Sequence, residues 1–180
     1  LMGSNSDAYG FMANLRAGAR DWPHDRPALV LGAGGAARAI IVGLLDSGVP
    51  GVRLCNRTQN RAESLAAELG PGLDVVPWSQ RSEAAAGCGL LVNTTTLGMT
   101  GKAPLDIALD DLDEAAVVSD IVYVPLETEL LRAARARPLR CVDGLGMLLH
   151  QARPGFAAWF GREPEVDEAL RGFVLADLAP

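Results

Sequence analysis

The segment Ala28-Leu29-Val30-Leu31-Gly32-Ala33-Gly34-Gly35-Ala36-Ala37 decides the fold. Its first four residues are all apolar, which is typical of a strand buried on both faces of a parallel sheet. Glycines follow at once, and residues 36–46 then have the composition and apolar spacing of a helix. The order strand, glycine turn, helix predicts the first βαβ unit of an α/β protein.

The glycine turn matches the pattern G-x-G-x-x-A and stands in the strand-to-helix context that gives this pattern its meaning. Gly32 permits a sharp turn out of the strand, and Gly34 leaves room for a pyrophosphate to approach the backbone. Ala37 keeps the helix close to the sheet. The free N–H groups at the start of the helix attract phosphate. Residues Gly32, Ala33, Gly34, Gly35 and Ala36 are therefore predicted to bind the pyrophosphate of a dinucleotide.

Strands and helices alternate on either side of this segment. Further strands are predicted at residues 52–55, 75–76, 90–92, 117–122 and 139–142, and helices at 7–19, 61–69, 81–86 (weak), 127–137, 147–160 and 166–178. The first helix is expected to be capped by Ser6 or Asp7. The pattern predicts a Rossmann-type, doubly wound parallel sheet covered by helices on both faces. The last two helices have no strand between them, so we expect them to leave the sheet.

The end of the second strand indicates which dinucleotide is bound. An NAD site usually places Asp or Glu there to accept from the ribose hydroxyls. This chain has Asn56-Arg57-Thr58 instead, with Arg61 one turn further on. An arginine can pair with a 2′-phosphate and stack beside the adenine. The cofactor is therefore predicted to be NADP, although Arg57 as a solvated helix-start residue remains the alternative.

Composition narrows the function further. The chain has 180 residues, 49% of them hydrophobic, and a formal net charge of −6. It has no basic stripe for nucleic acid and no apolar run of transmembrane length. The cysteines Cys55, Cys88 and Cys141 are too far apart in sequence for a zinc motif. We expect no metal, no membrane segment, reduced thiols and a cytoplasmic location. The tryptophans, Trp22, Trp78 and Trp159, are expected to be packing residues.

At this point the sequence resembles shikimate dehydrogenases, oxidoreductases of aromatic amino-acid biosynthesis (the chorismate pathway). The match rests on segments spread over most of the chain in the family's order: Asn5-Ser6-Asp7, 32–36, 56–58, Asn93-Thr94-Thr95-Thr96-Leu97-Gly98-Met99, Asp120-Ile121-Val122-Tyr123 and Asp143-Gly144-Leu145-Gly146-Met147-Leu148-Leu149-His150-Gln151. The last segment is far more specific than a glycine turn. The resemblance implies NADPH-dependent reduction of 3-dehydroshikimate to shikimate.

The resemblance also implies roles for single residues. Asn56, Arg57, Thr58 and Arg61 would bind the adenosine and its 2′-phosphate. Ile121 and Gly144 would contact the nicotinamide half of the cofactor. Tyr123 and Gln151 would touch the substrate. Asp7 would contact the substrate and be the aspartate of the family's catalytic Lys–Asp pair. Without the resemblance, Asp7 fits a helix cap, Tyr123 a packed aromatic and Gln151 a surface amide.

One departure from the family is important. The catalytic lysine has no counterpart, because the only lysine is Lys102, which follows Gly101 and lies far in sequence from any matching motif. We therefore predict a linking helix from an absent substrate domain at 1–20, an NADP-binding domain at 21–145 and C-terminal helices at 146–180. Those last helices would pack towards the absent domain, or pair as a homodimer through Val166, Leu170, Phe173 and Val174.

Two alternatives remain open. One is a quinate/shikimate dehydrogenase that uses NAD, which an acidic residue at the end of the second strand would favour. The other is a non-catalytic NADP-binding module, for which the missing lysine is the support.

Overall fold

Residue 3 and residues 5–178 are described by a computed structural model. Its strands are short and mostly buried. They are β1 (Ala28–Leu31), β2 (Val52–Cys55), β3 (Leu73–Val76), β4 (Leu90–Asn93), β5 (Val117–Asp120) and β6 (Arg140–Val142). All neighbouring pairs are parallel, and the order across the sheet is β3-β2-β1-β4-β5-β6. This is the Rossmann order, which confirms the predicted doubly wound sheet.

The helices join successive strands or flank the sheet. They are α1 (Asp7–Gly18), α2 (Gly35–Asp46), α3 (Gln59–Leu69), α4 (Glu129–Ala136), α5 (Gly144–Phe160) and α6 (Glu168–Leu178). None of the helices in this described part of the chain is long and apolar enough to cross a membrane.

Each face of the sheet has its own core, because side chains alternate along a strand. Val30 and Val92 lie on the face covered by α1, α2, α3 and the start of α5. Leu29 and Leu91 lie on the other face, under α4 and the turns that precede β4. Burial on both faces explains why the strands read as continuous apolar runs.

Helix α1 packs closely against α5 because glycines lie where the two helices meet. A Cβ on Gly10 would lie 2.6 Å from the Cβ of Gln151, and one on Gly146 would lie 1.8 Å from Asn14 Oδ1. Asn14 Nδ2 donates to the carbonyl of Asp143 over 2.7 Å, which ties α1 to the residue that caps α5. The first helix is thus an integral part of this layer.

Several helices and strands begin or end at other residues than the sequence predicted. Helix α3 begins at Gln59 and β3 at Leu73, each two residues earlier than predicted. Helix α5 begins at Gly144 because Asp143 caps it, accepting from the Leu145 N–H over 3.1 Å. Strand β5 ends at Asp120 rather than at residue 122, because the Asp120 carboxylate accepts from the Val122 N–H and turns the chain.

Three other predictions were wrong. Residues 81–86 are not an α-helix, because the segment holds only two single 3₁₀ turns, Trp78–Gln80 and Glu83–Ala85. Ser6 precedes α1 without a side-chain bond to the helix, and Asn5 Oδ1 instead accepts from the Asp7 N–H over 2.7 Å. Trp22 is buried and Trp78 half-buried as expected, but Trp159 is 81% exposed near the end of α5 and packs little.

Candidate functional site

The glycine turn lies at the carboxyl end of β1, beside the point between β1 and β4 where the strand order reverses. Gly32 has a φ of +109°, a backbone conformation that residues with a side chain rarely adopt, and a Cβ there would lie 2.6 Å from Thr94 Oγ1. Gly34 precedes α2 with an ordinary φ of −99°, and a Cβ on Gly34 or Gly35 would meet no atom within 4 Å. The fold therefore requires glycine at position 32. At position 34 the fold would accept a side chain, and glycine leaves open space there instead.

That space is part of a cavity between α2 and α3, which we call the phosphate-turn cavity. Its volume is about 380 Å³. It is lined by Ala33, Gly34, Gly35, Arg38, Asn60, Arg61, Ser64, Leu65 and Glu68. The N–H groups of the first turn of α2 and the helix dipole favour an anion here.

Arginines at the start of α3 add positive charge beside this cavity. Arg61 lines it, and Arg57 is exposed in the loop that leads into α3. Neither makes an ion pair within the described residues 3 and 5–178. Asn56 shapes this loop by donating from Nδ2 to the carbonyl of Thr58 over 2.8 Å. The structure thus places Arg61 in the lining of the phosphate-turn cavity and Arg57 in the exposed loop before α3, whereas Arg38 is already paired with Glu68.

A second cavity, the loop cleft, lies on the other side of the sheet's switch point. It has a volume of about 220 Å³ and is formed by the loops that follow β4 and β5. Its lining residues are Thr94, Thr95, Thr96, Met99, Ile121, Val122, Tyr123 and Val124. Thr94 anchors it to the glycine turn, because its Oγ1 donates to the carbonyl of Leu31 over 2.7 Å. Tyr123 is 37% exposed at its edge.

The remaining predicted residues lie where α5 begins and crosses α1. A Cβ on Gly144 would lie 2.2 Å from the carbonyl oxygen of Ile121, so these two residues are direct neighbours beside the loop cleft. Gln151 contacts Gly10, one turn along α1 from the half-buried Asp7. Tyr123 belongs to the loop cleft instead. Lys102 is exposed in the loop after β4.

A buried carboxylate that the sequence interpretation gave no role lies behind the loop cleft. Asp120 Oδ1 accepts from Asn93 Nδ2 over 2.9 Å and from the Val122 N–H over 3.0 Å. Its Oδ2 accepts from Thr128 Oγ1 over 2.7 Å. Asn93 in turn accepts, through Oδ1, from the N–H and the hydroxyl of Thr95. One side chain thus links the loop after β4, the loop after β5 and the start of α4.

Burial raises the pKa of Asp120 to about 6, while hydrogen bonds from Thr128, Val122 and Asn93 oppose the rise. The folded protein therefore holds this proton more tightly than the unfolded chain, so ionisation costs stability as the pH rises from about 4 through 6.

Because asparagine cannot ionise, we expect the free energy of unfolding of Asp120→Asn to lack this loss at high pH. Measured relative to the wild type, the free energy of unfolding of the variant should therefore rise by about 2 kcal/mol when the pH is raised from 4.5 to 7.5. Urea unfolding of both proteins at the two pH values measures this difference. Parallel pH dependences would mean that Asp120 titrates near its ordinary pKa.

Two family models match the chain. One described as "Shikimate / quinate 5-dehydrogenase" matches residues 19–100, and one described as "Shikimate 5'-dehydrogenase C-terminal domain" matches residues 144–171. The chain is 59% identical over 177 residues to a protein of Paramagnetospirillum magneticum named shikimate dehydrogenase (NADP(+)). The chain belongs to the shikimate dehydrogenase family. The alignment covers 98% of this chain and 64% of that relative, so the chain spans less than two thirds of its length.

Solved structures of the shikimate dehydrogenase family and its neighbours have the same fold. A quinate dehydrogenase from Corynebacterium glutamicum in complex with NAD superposes with a TM-score of 0.87 at 31% identity, covering 97% of this chain and 63% of that one. A shikimate 5-dehydrogenase from Thermus thermophilus in complex with NADP(H) and shikimate gives 0.78 at 40% identity, covering 91% and 59%. The fold and family predicted from the sequence are thus confirmed.

Proposed function

We propose that this chain is the cofactor-binding part of an NADP-dependent shikimate dehydrogenase, which reduces 3-dehydroshikimate to shikimate. The observation that carries the proposal is the open space beside Gly34 at the start of α2, with Arg61 in the lining of the same cavity and Arg57 exposed in the loop before α3. Neither arginine forms an ion pair with another described residue. A dinucleotide phosphate is an anion that fits a glycine turn at a helix N-terminus, and a 2′-phosphate fits an available arginine. Relatives named as NADP(+) enzymes support the same cofactor.

The cofactor residues fall into two groups along the sheet edge. Gly32 to Ala36 would hold the pyrophosphate, and Asn56, Arg57, Thr58 and Arg61 the adenosine with its 2′-phosphate. On the other side of the switch point, Ile121 and Gly144 would contact the nicotinamide half, because a dinucleotide lies across the crevice outside the strand ends. When bound, NADPH supplies the hydride, and the protein supplies alignment.

The substrate would lie beyond the nicotinamide half, at the edge of the described sheet. Tyr123 at the loop cleft would contact it, as would Gln151 and Asp7 near the crossing of α1 and α5. Asp7 would also orient the catalytic lysine that the family provides, and that lysine would donate the proton to the carbonyl oxygen. Since Lys102 lies in another segment, we infer that the complete active site needs residues beyond those of this chain.

We expect Arg57→Ala to weaken NADP(H) binding by roughly 10- to 150-fold, because a charge-assisted hydrogen bond contributes about 1.5–3 kcal/mol. NAD(H) affinity should hardly change, since NAD has no 2′-phosphate. Titrating both cofactors by fluorescence measures the two effects.

Arg162→Ala is the matched control, because Arg162 is an exposed arginine in the loop after α5, far along the chain from the glycine turn. It should change neither affinity. An equal loss for the two cofactors with Arg57→Ala would overturn the assignment of Arg57 to the 2′-phosphate. The second candidate, a quinate/shikimate dehydrogenase that uses NAD, is supported by the fold similarity to a quinate dehydrogenase in complex with NAD, and tighter binding of NAD(H) than of NADP(H) by the wild-type chain would favour it.

We also propose a cytoplasmic location, supported by the buried free thiols of Cys55 and Cys88. A homodimer is a further proposal. It is supported by the apolar side chains that α5 and α6 expose, which are Trp159, Phe160, Leu170 and Phe173. Light scattering of the purified chain tests it.

A further inference from the structure

The buried cluster behind the loop cleft consists of three hydrogen-bonded polar side chains, Asn93, Asp120 and Thr128, in an otherwise apolar part of the core. Asp120 is fully buried at the carboxyl end of β5, directly opposite Asn93 in the parallel register of β4 and β5. A buried carboxylate is costly unless its oxygens are well hydrogen-bonded. Here the oxygens of Asp120 accept three bonds, so the cost is largely offset.

Two of these bonds each hold a different wall of the loop cleft. Through Asn93, Asp120 holds the loop after β4, because Asn93 Oδ1 accepts from Thr95 Oγ1 over 2.7 Å and Asn93 Nδ2 also donates to the carbonyl of Leu97 over 3.1 Å. Through the Val122 N–H, it holds the loop after β5, which carries Ile121 and Tyr123.

The third bond connects the cleft to the rest of the domain. Thr128 Oγ1 donates to Asp120 and accepts from the Leu131 N–H over 3.3 Å as the cap of α4. Neither Asp120 nor Thr128 lines the loop cleft. The pair can therefore influence a ligand there only through the loops that it supports.

We propose that Asp120 is a positioning residue that sets the separation of the two walls of the loop cleft and so fits this cleft to the nicotinamide half of the cofactor. The inference rests on the proposed function, because it takes the loop cleft as the nicotinamide site. It assigns to Asp120, Asn93 and Thr128 a role in binding one half of the dinucleotide and not the other. The adenosine half lies by the phosphate-turn cavity, across the switch point from this cluster.

Two ligands distinguish binding of the nicotinamide half from binding of the adenosine half. NADPH occupies both, whereas adenosine 2′,5′-bisphosphate carries the 2′-phosphate and lacks the nicotinamide. Asp120→Ala should weaken NADPH binding by about 10-fold or more, since the three donors lose their acceptor and both loops lose their anchor. Affinity for the bisphosphate should stay within about 3-fold, a difference of under 1 kcal/mol.

Asp120→Asn is the rescuing variant. Its Oδ1 can keep the bonds from Asn93 and Val122, while its Nδ2 donates to the Thr128 hydroxyl, which still has a lone pair for the Leu131 N–H. NADPH affinity and the emission of the bound reduced nicotinamide should match the wild type. A purely electrostatic role for the carboxylate would instead leave Asp120→Asn as impaired as Asp120→Ala, which would overturn the proposal.

Thr128→Val keeps the shape of the side chain and removes only the bond to Asp120 and the α4 cap. It should weaken NADPH binding by a few-fold and leave the bisphosphate unaffected, and it decides the matter if Asp120→Ala does not fold. Unchanged NADPH affinity in Thr128→Val, or equal losses for both probes in a folded variant, would overturn the positioning role. If the wild-type chain bound neither probe, the proposed function itself would fail.

Discussion

The 180-residue chain is expected to bind NADPH but to oxidise shikimate with NADP⁺ at least ~10²–10⁴-fold more slowly than a full-length relative, because general acid–base catalysis contributes about that much. The cofactor residues from Gly32 to Gly144 all lie in this chain. The lysine that would donate the proton has no counterpart among its residues, since Lys102 is the only lysine and lies in a segment that matches no motif of the family. Loss of substrate-positioning contacts would lower the rate further.

The measurement is an absorbance assay at the reduced nicotinamide band, run beside a cofactor titration of the same preparation. The relative from Paramagnetospirillum magneticum named shikimate dehydrogenase (NADP(+)) is the comparator, because it is 59% identical where the two align. Turnover by the chain at the rate of that relative would mean that another group here donates the proton. Lys102→Ala would then show whether it is this lysine.

Gly34→Val should abolish most cofactor binding while leaving the fold intact. The backbone at Gly34 has an ordinary φ, and a Cβ there would meet no protein atom within 4 Å, so a valine side chain fits the protein by itself. The same side chain would fill the space that the pyrophosphate must enter. Overlap of this kind costs about 3 kcal/mol, which is roughly 100-fold in affinity.

Circular dichroism and a fluorescence titration with NADPH measure the two halves of this prediction. Gly172→Val is the matched control, because a Cβ on that α6 glycine also meets nothing within 4 Å and the site lies elsewhere. Gly34→Ala should fall between the wild type and Gly34→Val. Full NADPH affinity in a folded Gly34→Val protein would remove the glycine turn from the phosphate site.

The elements of the fold were largely predictable because most strands are buried on both faces. Strands such as Ala28–Leu31 are uninterrupted apolar runs, which the sequence displays directly. Boundaries failed where a side chain outside the apolar pattern sets them. Asp143 starts α5 three residues before the predicted start, and Asp120 ends β5 early. These caps and turns depend on polar contacts that apolar periodicity does not record.

The candidate site was predictable in part. The glycine turn and the arginines after β2 carry a local pattern with a physical meaning, and the structure gathers Gly34 and Arg61 around one cavity. The network of Asp120 could not be predicted, because it depends on the register that brings Asn93 opposite Asp120. The individual site residues and the division at residues 20 and 145 stay predictions, which the cofactor titrations and substrate assays address.

The exposed Trp159 gives the protein an intrinsic fluorescent reporter on its surface. Trp22 is 5% exposed against the sheet, whereas Trp159 is 81% exposed at the end of α5. A quencher dissolved in water, such as iodide, will therefore reach the indole of Trp159 long before that of Trp22. Emission that is quenched first comes from the C-terminal helices, and emission that remains comes from the buried Trp22 together with part of that of the half-buried Trp78. Any molecule that covers the end of α5 can thus be detected by the protection of Trp159, without attaching a dye.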